Sequence, residues 1–256
     1  MAVTAEIKDR VGWITLDRPP ANSYDAGFLE ELDRCVGEVA EAEAAVAVIR
    51  SASGQFFSAG VDVSELRARS ADDNLDLCRR THQVLGRFAD ESPLFVAAIA
   101  GHALGGGYEI ALACDVRIAA EGRYRIGLPE VTLGLLPGTG GTQRLPRLIG
   151  RGRALELMAT GRTVAPAEAE RLGMVDRLIP ADEFDQAVAE LAGGLAAGAP
   201  LAVAAITRAV NDGMERTLAD ALERELEELA DLFASEDARE GMTAFTEKRP
   251  PKFSGS

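Results

Sequence analysis

Cysteine is scarce in this chain of 256 residues, and Cys35, Cys78 and Cys114 are odd in number and widely spaced. No CxxC occurs, which argues against a disulfide framework or a zinc knuckle. Histidine is scarcer still. His82 and His102 are the only two, too few for a multi-histidine site, so no metal is expected. Basic charge is also short, with 27 lysines and arginines against 41 acids and a net charge of −14. So negative a chain lacks the broad basic surface that nucleic acids or anionic membranes require, and neither is an expected partner. An anionic small molecule would need a local positive patch. Long hydrophobic runs are missing too. Stretches 92–108 and 191–206 are uncharged, but Gly or Pro interrupts both, and both fall short of a bilayer span. The segment from Met1 to Lys8 shows no basic stretch leading into an apolar one, as a secretory leader would. The expectation is a soluble, reduced-compartment, cytoplasmic protein.

What is present suits one large domain or two modest ones, with 47% hydrophobic and 27% charged residues. Val3–Ile7 and Val11–Leu16 predict two short strands around an Asp9-Arg10 turn. Phe28, Leu29, Leu32, Val36 and Val39 recur at helical spacing. Ala45–Ile49 and Leu94–Ala100 are short apolar runs of the kind found in strands covered on both faces. Strands separated by helices predict an α/β core with crossover units. No internal repeat is evident. From Pro166 onward helix patterns dominate. Met214, Leu218, Leu222, Leu226, Leu229 and Phe233 follow spacings of 4, 4, 4, 3 and 4, which predicts one long amphipathic helix. Its apolar stripe either packs on its own domain or contributes to a subunit interface.

Three glycine-bearing turns are candidates for chemistry. In Ala103–Asp115 an apolar strand runs into Gly105-Gly106-Gly107 and a helix then begins. Without Cβ atoms a ligand can approach the main chain there, and free N–H groups at a helix start favour negative charge. The bland alternative is a tight strand-to-helix turn. Phe57-Ser58-Ala59-Gly60-Val61-Asp62 is a second such turn. Gly134–Leu145 is a third, and it lacks the Gly-Lys-Ser/Thr ending of a nucleotide-phosphate loop. Two acids accompany these turns. Glu109 falls in the first helical turn after the glycines, and Glu130 follows Gly127-Leu128-Pro129. A first-turn carboxylate gains about 0.3–1 kcal/mol from the helix dipole and needs no catalytic role. Composition alone therefore leaves both acids open. His102 is read as satisfying a local hydrogen bond.

Taken together, the motifs Phe57–Asp62, Ala103–Glu109, Gly127–Val131, Leu136–Leu145 and Glu240–Arg249 resemble the crotonase, or enoyl-CoA hydratase/isomerase, superfamily, in order and over nearly the whole chain. The resemblance implies an α/β fold: a spiral of ββα units over residues 1–195, carrying an acyl-CoA site. A C-terminal helical trimerisation region over 196–256 would follow, with the chain assembling as a homotrimer or homohexamer. It implies an acyl-CoA thioester substrate and no separate cofactor, since coenzyme A is part of the substrate. It places an oxyanion hole on the backbone N–H groups of Val61 and Gly106, where charge develops on the thioester oxygen. Two such donors lower the barrier by roughly 3 kcal/mol each. It casts Glu109 as the group that orients and deprotonates water, Glu130 as the proton donor to C2, and the Gly138 N–H as a water-holding group. Ala59, Gly60, Asp62 and Gly105 would meet the substrate, and Phe245 and Lys248 the adenosine end of CoA, often across a subunit boundary.

The expected activity is hydration of a 2-enoyl-CoA. Isomerisation, a specialised dehydration or thioester hydrolysis on the same scaffold are alternatives, and a non-catalytic acyl-CoA- or RNA-binding relative is a different class. The presence of both acids favours hydration. Three departures from the commonest pattern stand out. The stretch between Glu109 and Glu130 carries about one residue more, around Glu121–Arg125, which predicts an altered short turn before Glu130. Tyr108 is larger than the residue usual before the acid, which predicts crowding or a polar contact in the acyl pocket. The loop Asn22-Ser23-Tyr24-Asp25 replaces the commoner Asn-Ala-Leu type.

Overall fold

The computed structural model describes residues 1–90 and 93–256, so residue 92, where the first uncharged run begins, lies outside it. Two strands followed by helix form a unit that the chain repeats with variation. The first unit is β1 (Val3–Lys8), β2 (Val11–Leu16) and α1 (Ala26–Glu41). The second is β3 (Val46–Ser51), β4 (Phe56–Ser58), α2 (Val63–Ala68) and α3 (Ala71–Asp90). The third is β5 (Leu94–Ile99), β6 (His102–Leu104) and α4 (Gly106–Ala113). The fourth is β7 (Val116–Ala120), β8 (Ile126–Gly127), a single 3-10 turn over Glu130–Leu133 and α5 (Gly141–Ile149). After them come α6 (Arg151–Thr160), α7 (Pro166–Leu172), β9 (Arg177–Ile179), α8 (Phe184–Ala197), α9 (Pro200–Gly213), α10 (Leu218–Ala234) and α11 (Glu236–Glu247).

From the second unit on, the first strand of each unit joins one sheet and the second strand another. The larger sheet has the order β1-β2-β3-β5-β7-β9 and the smaller β4-β6-β8. Among the strand pairs of the described residues β1–β2 is antiparallel and the others are parallel, with a single antiparallel bridge from Ile126 of β8 to Val164. Each unit thus advances both sheets by one strand, which is the ββα spiral implied by the resemblance. The repeat lives in the backbone and left no visible repeat in the sequence. The β1–β2 turn falls on Asp9 and Arg10 as expected, with φ of 50° and 63°, the left-handed pair a two-residue hairpin turn requires.

Strand β3 shows why an unbroken apolar run is needed. Ala47 and Ile49 enter the core shared with α1, while Val46 and Val48 point to the opposite face, covered by Phe184, Val188 and Ala192 of α8. Both faces are buried, so alternation would place polar groups in one core or the other.

The C-terminal region departs from expectation in one way and narrows an open alternative. The periodic stripe does not form one helix. Met214 closes α9, and Thr217 caps α10 by accepting from the Asp220 N–H. Nor does the stripe pack on its own domain, since Leu218 is 76% and Phe233 65% exposed. The opposite, polar face packs inward: Arg208 of α9 holds the buried Glu228 of α10 through two bonds of 3.0 and 2.6 Å. Strand β9 was not anticipated. Among the described residues no single helix is long and apolar enough to cross a membrane.

The loop before α1 is stitched to the second unit by one side chain. The buried Asn22 Nδ2 donates to Ser51 Oγ at 2.7 Å and to the Phe57 carbonyl at 3.0 Å, and its Oδ1 accepts from the Arg18 N–H at 2.7 Å. Asn22→Ala removes all three bonds and should cost about 1–3 kcal/mol, measured by urea unfolding.

Candidate active site

The three glycine-bearing turns converge. The turn after β4 lies against the start of α4 so closely that a Cβ on Gly60 would come 2.8 Å from the Gly106 nitrogen. A Cβ on Gly107 would come 2.1 Å from the Ser58 carbonyl oxygen. Gly60 and Gly105 also have φ of +87° and +54°, conformations that side-chain-bearing residues rarely adopt. Glycine is therefore required at these positions by packing and backbone shape alike.

This packing aims two amides. Tyr24 pairs with Val61 in a parallel bridge, donating to the Gly60 carbonyl at 2.9 Å and accepting from the Asp62 N–H at 3.1 Å. In that arrangement the flanking residues make the bonds and Val61's own N–H points away from Tyr24. Gly106 is the first residue of α4, where an N–H has no partner inside the helix. Among the described residues neither amide has a protein acceptor.

Glu109 is buried within α4 and held entirely by donors from the third turn. Its Oε1 accepts from the Thr139 N–H at 2.8 Å and the Gly141 N–H at 2.7 Å, and its Oε2 from the Thr139 hydroxyl. Glu130 opens the 3-10 turn and faces the same glycines: a Cβ on Gly105 would meet its Oε1 at 2.9 Å. Among the described residues its buried Oε2 has no hydrogen-bond partner. Burial pushes its pKa up to about 7, with its own backbone N–H opposing the rise and the charge of Glu109 adding to it. The two carboxyls therefore lie in one site and are held differently, one by three donors and one with an oxygen that has no partner among the described residues.

The other expected residues divide. Gly138 comes up against α3: a Cβ there would lie 3.6 Å from Cys78 Sγ, and its carbonyl meets His82 Nε2 at 2.8 Å. The Gly105 N–H donates to the Gly127 carbonyl at 2.9 Å and the Ala59 N–H to the Ala21 carbonyl at 2.9 Å. Asp62 caps α2 by accepting from the Ser64 N–H, and the Ser64 hydroxyl, followed by that N–H, holds its carboxyl below the usual range. Phe245 and Lys248 belong to α11, the helix that packs on α10; Phe245 is 87% exposed, and Lys248 closes the helix in a left-handed conformation. Tyr108 corrects the expectation of a pocket contact. It is fully buried, and its hydroxyl donates to the Met174 carbonyl at 2.8 Å. His102 does make a local bond, accepting from the Arg125 N–H. Sequence reasoning missed Thr139 and the Gly141 amide as anchors of Glu109, although both lie within a motif it singled out.

The asymmetry has a consequence for stability. Below about pH 4.5 Glu130 is protonated whether the chain is folded or not. Between that point and about pH 7 the unfolded chain loses the proton and the folded chain keeps it, so stability falls as pH rises. Glu130→Gln removes this cost. The variant should be about 1–3 kcal/mol more stable than wild type at pH 8, with the advantage vanishing near pH 4.5, as read by thermal melts across pH.

Comparison with known proteins bears on the family of the chain. A family model described as enoyl-CoA hydratase/isomerase matches residues 6–256. The short-chain-enoyl-CoA hydratase of Clostridium acetobutylicum is 37% identical over 249 residues, covering 96% of this chain and 95% of that one. A probable enoyl-CoA hydratase of Bacillus subtilis is 38% identical, with 99% of each covered. The crystal structure of an enoyl-CoA hydratase from Geobacillus kaustophilus superposes with a TM-score of 0.98 at 39% identity, covering 100% of this chain and 97% of that one. With the matched model spanning nearly its whole length, the chain belongs to the enoyl-CoA hydratase/isomerase family.

Proposed function

We propose that this chain hydrates a 2-enoyl-CoA to a 3-hydroxyacyl-CoA, and that it does so with Glu109, Glu130 and the amides of Val61 and Gly106. The observation that carries the reading is the juxtaposition of two differently held carboxyls and two acceptor-free amides around one glycine turn. Water sits between the carboxyls with the Gly138 N–H as a further contact. Glu109 takes a proton as the water oxygen attacks C3. The displaced electron pair moves through C2 onto the thioester oxygen, where the two amides receive it. Glu130 then gives its proton to C2 as the enolate collapses. One proton enters the pair and one leaves, and no cofactor is needed beyond the CoA carried by the substrate.

The division of labour follows from the surroundings. Three donors fix the carboxylate that is to receive a proton in one orientation, whereas a partly buried carboxyl raised to about 7 suits the group that must hold one near neutral pH. Isomerisation needs only one such acid, and specialised dehydration is this reaction run backward. Phosphates of CoA would meet Lys248, and its adenine Phe245, on α11 of a neighbouring subunit.

Assembly as a trimer, or as a hexamer built from trimers, is supported by the inverted packing of α10. Its charged face is turned inward onto α9 and its leucines outward, an arrangement that leaves the apolar stripe to be covered by another copy. A division at 195/196 would assign the spiral core to residues 1–195 and assembly to the rest. That division cuts the last turn of α8, and the break that separates α8 on the sheet from α9 comes at Gly198. Three free cysteines suit a cytoplasmic setting.

With crotonyl-CoA and loss of the conjugated-thioester absorbance as readout, Glu109→Gln and Glu130→Gln should each lose at least about 10²-fold. Near-wild-type rates in both would remove the mechanism. Light scattering coupled to size exclusion should give a trimer or hexamer for wild type and smaller species for Leu222→Glu/Leu226→Glu. A monomeric wild type would overturn the assembly.

A further inference from the structure

Tyr24 is the residue by which the loop before α1 departs from the commoner pattern, and its side chain is fully buried in the site. Three of its parts make three separate contacts. Its backbone makes the bonds on either side of Val61 that leave the Val61 N–H pointing away. Its ring lies on the first turn of α4, where a Cβ on Gly106 would come 2.3 Å from the phenol oxygen. Its hydroxyl lies 3.5 Å from Thr139 Oγ1.

The direction of that last contact is decided by counting protons. The Thr139 hydroxyl has one, and it goes to Glu109 Oε2. Toward Tyr24 the threonine oxygen can only accept, so the phenol donates. Burial, reinforced by the charge of Glu109, pushes the Tyr24 phenol far above its ordinary pKa, so the donated proton stays in place.

We propose that Tyr24 is a positioning residue for the hydration step: it holds Glu109 through Thr139 while its backbone and ring set the Val61 and Gly106 amides. It touches no reacting atom. Its contribution is to keep the proton-accepting carboxylate and the two oxyanion donors at a fixed separation, so that attack at C3 and charge arrival at the thioester oxygen are aligned at the same moment. A leucine in this place would fill much of the space and supply no donor.

The inference rests on the reading of Glu109 as the base, and the experiment separates the two. Tyr24→Phe keeps the ring and removes the hydroxyl. It should lower kcat for crotonyl-CoA hydration about tenfold, with KM within about twofold of wild type. Tyr24→Leu, a second variant without the donor, should lose at least as much kcat. Thr139→Val should lose about tenfold or more, Thr139→Ser should restore most of it, and Tyr24→Phe added to Thr139→Val should cost nothing further. Losses that multiply in the double variant, a change confined to KM, or full activity in Tyr24→Phe and Tyr24→Leu while Glu109→Gln is inactive would overturn the role of Tyr24 alone. Full activity in Glu109→Gln would instead overturn the reading of the base.

Discussion

Main chain pressed against main chain is the contact on which the rest depends. The turn after β4 rests on the first turn of α4 with no side chain between them, and the Ser58 carbonyl occupies the space where a Cβ of residue 107 would be. Only this closeness lets amides from two different units, Val61 and Gly106, lie side by side. Backbone donors placed in this way need no reorganisation when charge arrives, because the sheet and the helix have already fixed them. The cost is paid in conformational freedom: glycines at 60, 105, 106 and 107 restrict the unfolded chain least of all residues. The parallel pairing of β4, β6 and β8 and the bonds of Asn22 and Ser58 hold the turns together against it.

From the same packing follows the unequal treatment of the two acids. Glu109 points from α4 into the turn that opens α5, where the Gly141 amide is free because a helix start leaves it so and the Thr139 amide precedes it in the same turn. Glu130 stands on a short 3-10 turn where its own backbone N–H is the amide that bears on it, and it faces the bare backbone of Gly105. The difference in how the two acids are held is thus a difference in which backbone donors each carboxyl can reach. It does not come from the residues' chemistry, which is identical.

Much of this was legible in the sequence, and what was not has identifiable reasons. The hairpin at Asp9-Arg10 and the strand β3 are local patterns, and local patterns survive in sequence. The glycine turns were visible because only one residue type satisfies their geometry. Strand β9 is three residues long, between helices, and too short to show a period. The stripe from Met214 to Phe233 kept helical spacing across a real break, because a cap at Thr217 restarts the helix almost in register. Tyr108 was assigned to the pocket because α4 is buried on every side and has no polar face from which direction could be read. Tyr24 and Thr139 are 115 residues apart, and no local rule connects them.

On the mechanism we propose, the proton balance of the site explains why two carboxyls suffice. In that reading the pair begins with a proton on Glu130 and ends with one on Glu109, so its total charge does not change during the reaction. The same singly protonated pair, with its proton moved to the other partner, is the starting point for dehydration, as microscopic reversibility demands. Between turnovers the proton must return to Glu130. The low solvation that makes Glu130 costly to ionise is also what makes it recapture a proton near neutral pH. The burial that weakens the fold at this position is therefore what resets the site, and filling Glu130's empty hydrogen-bonding side with a donor would stabilise its charge and hold it in the spent state.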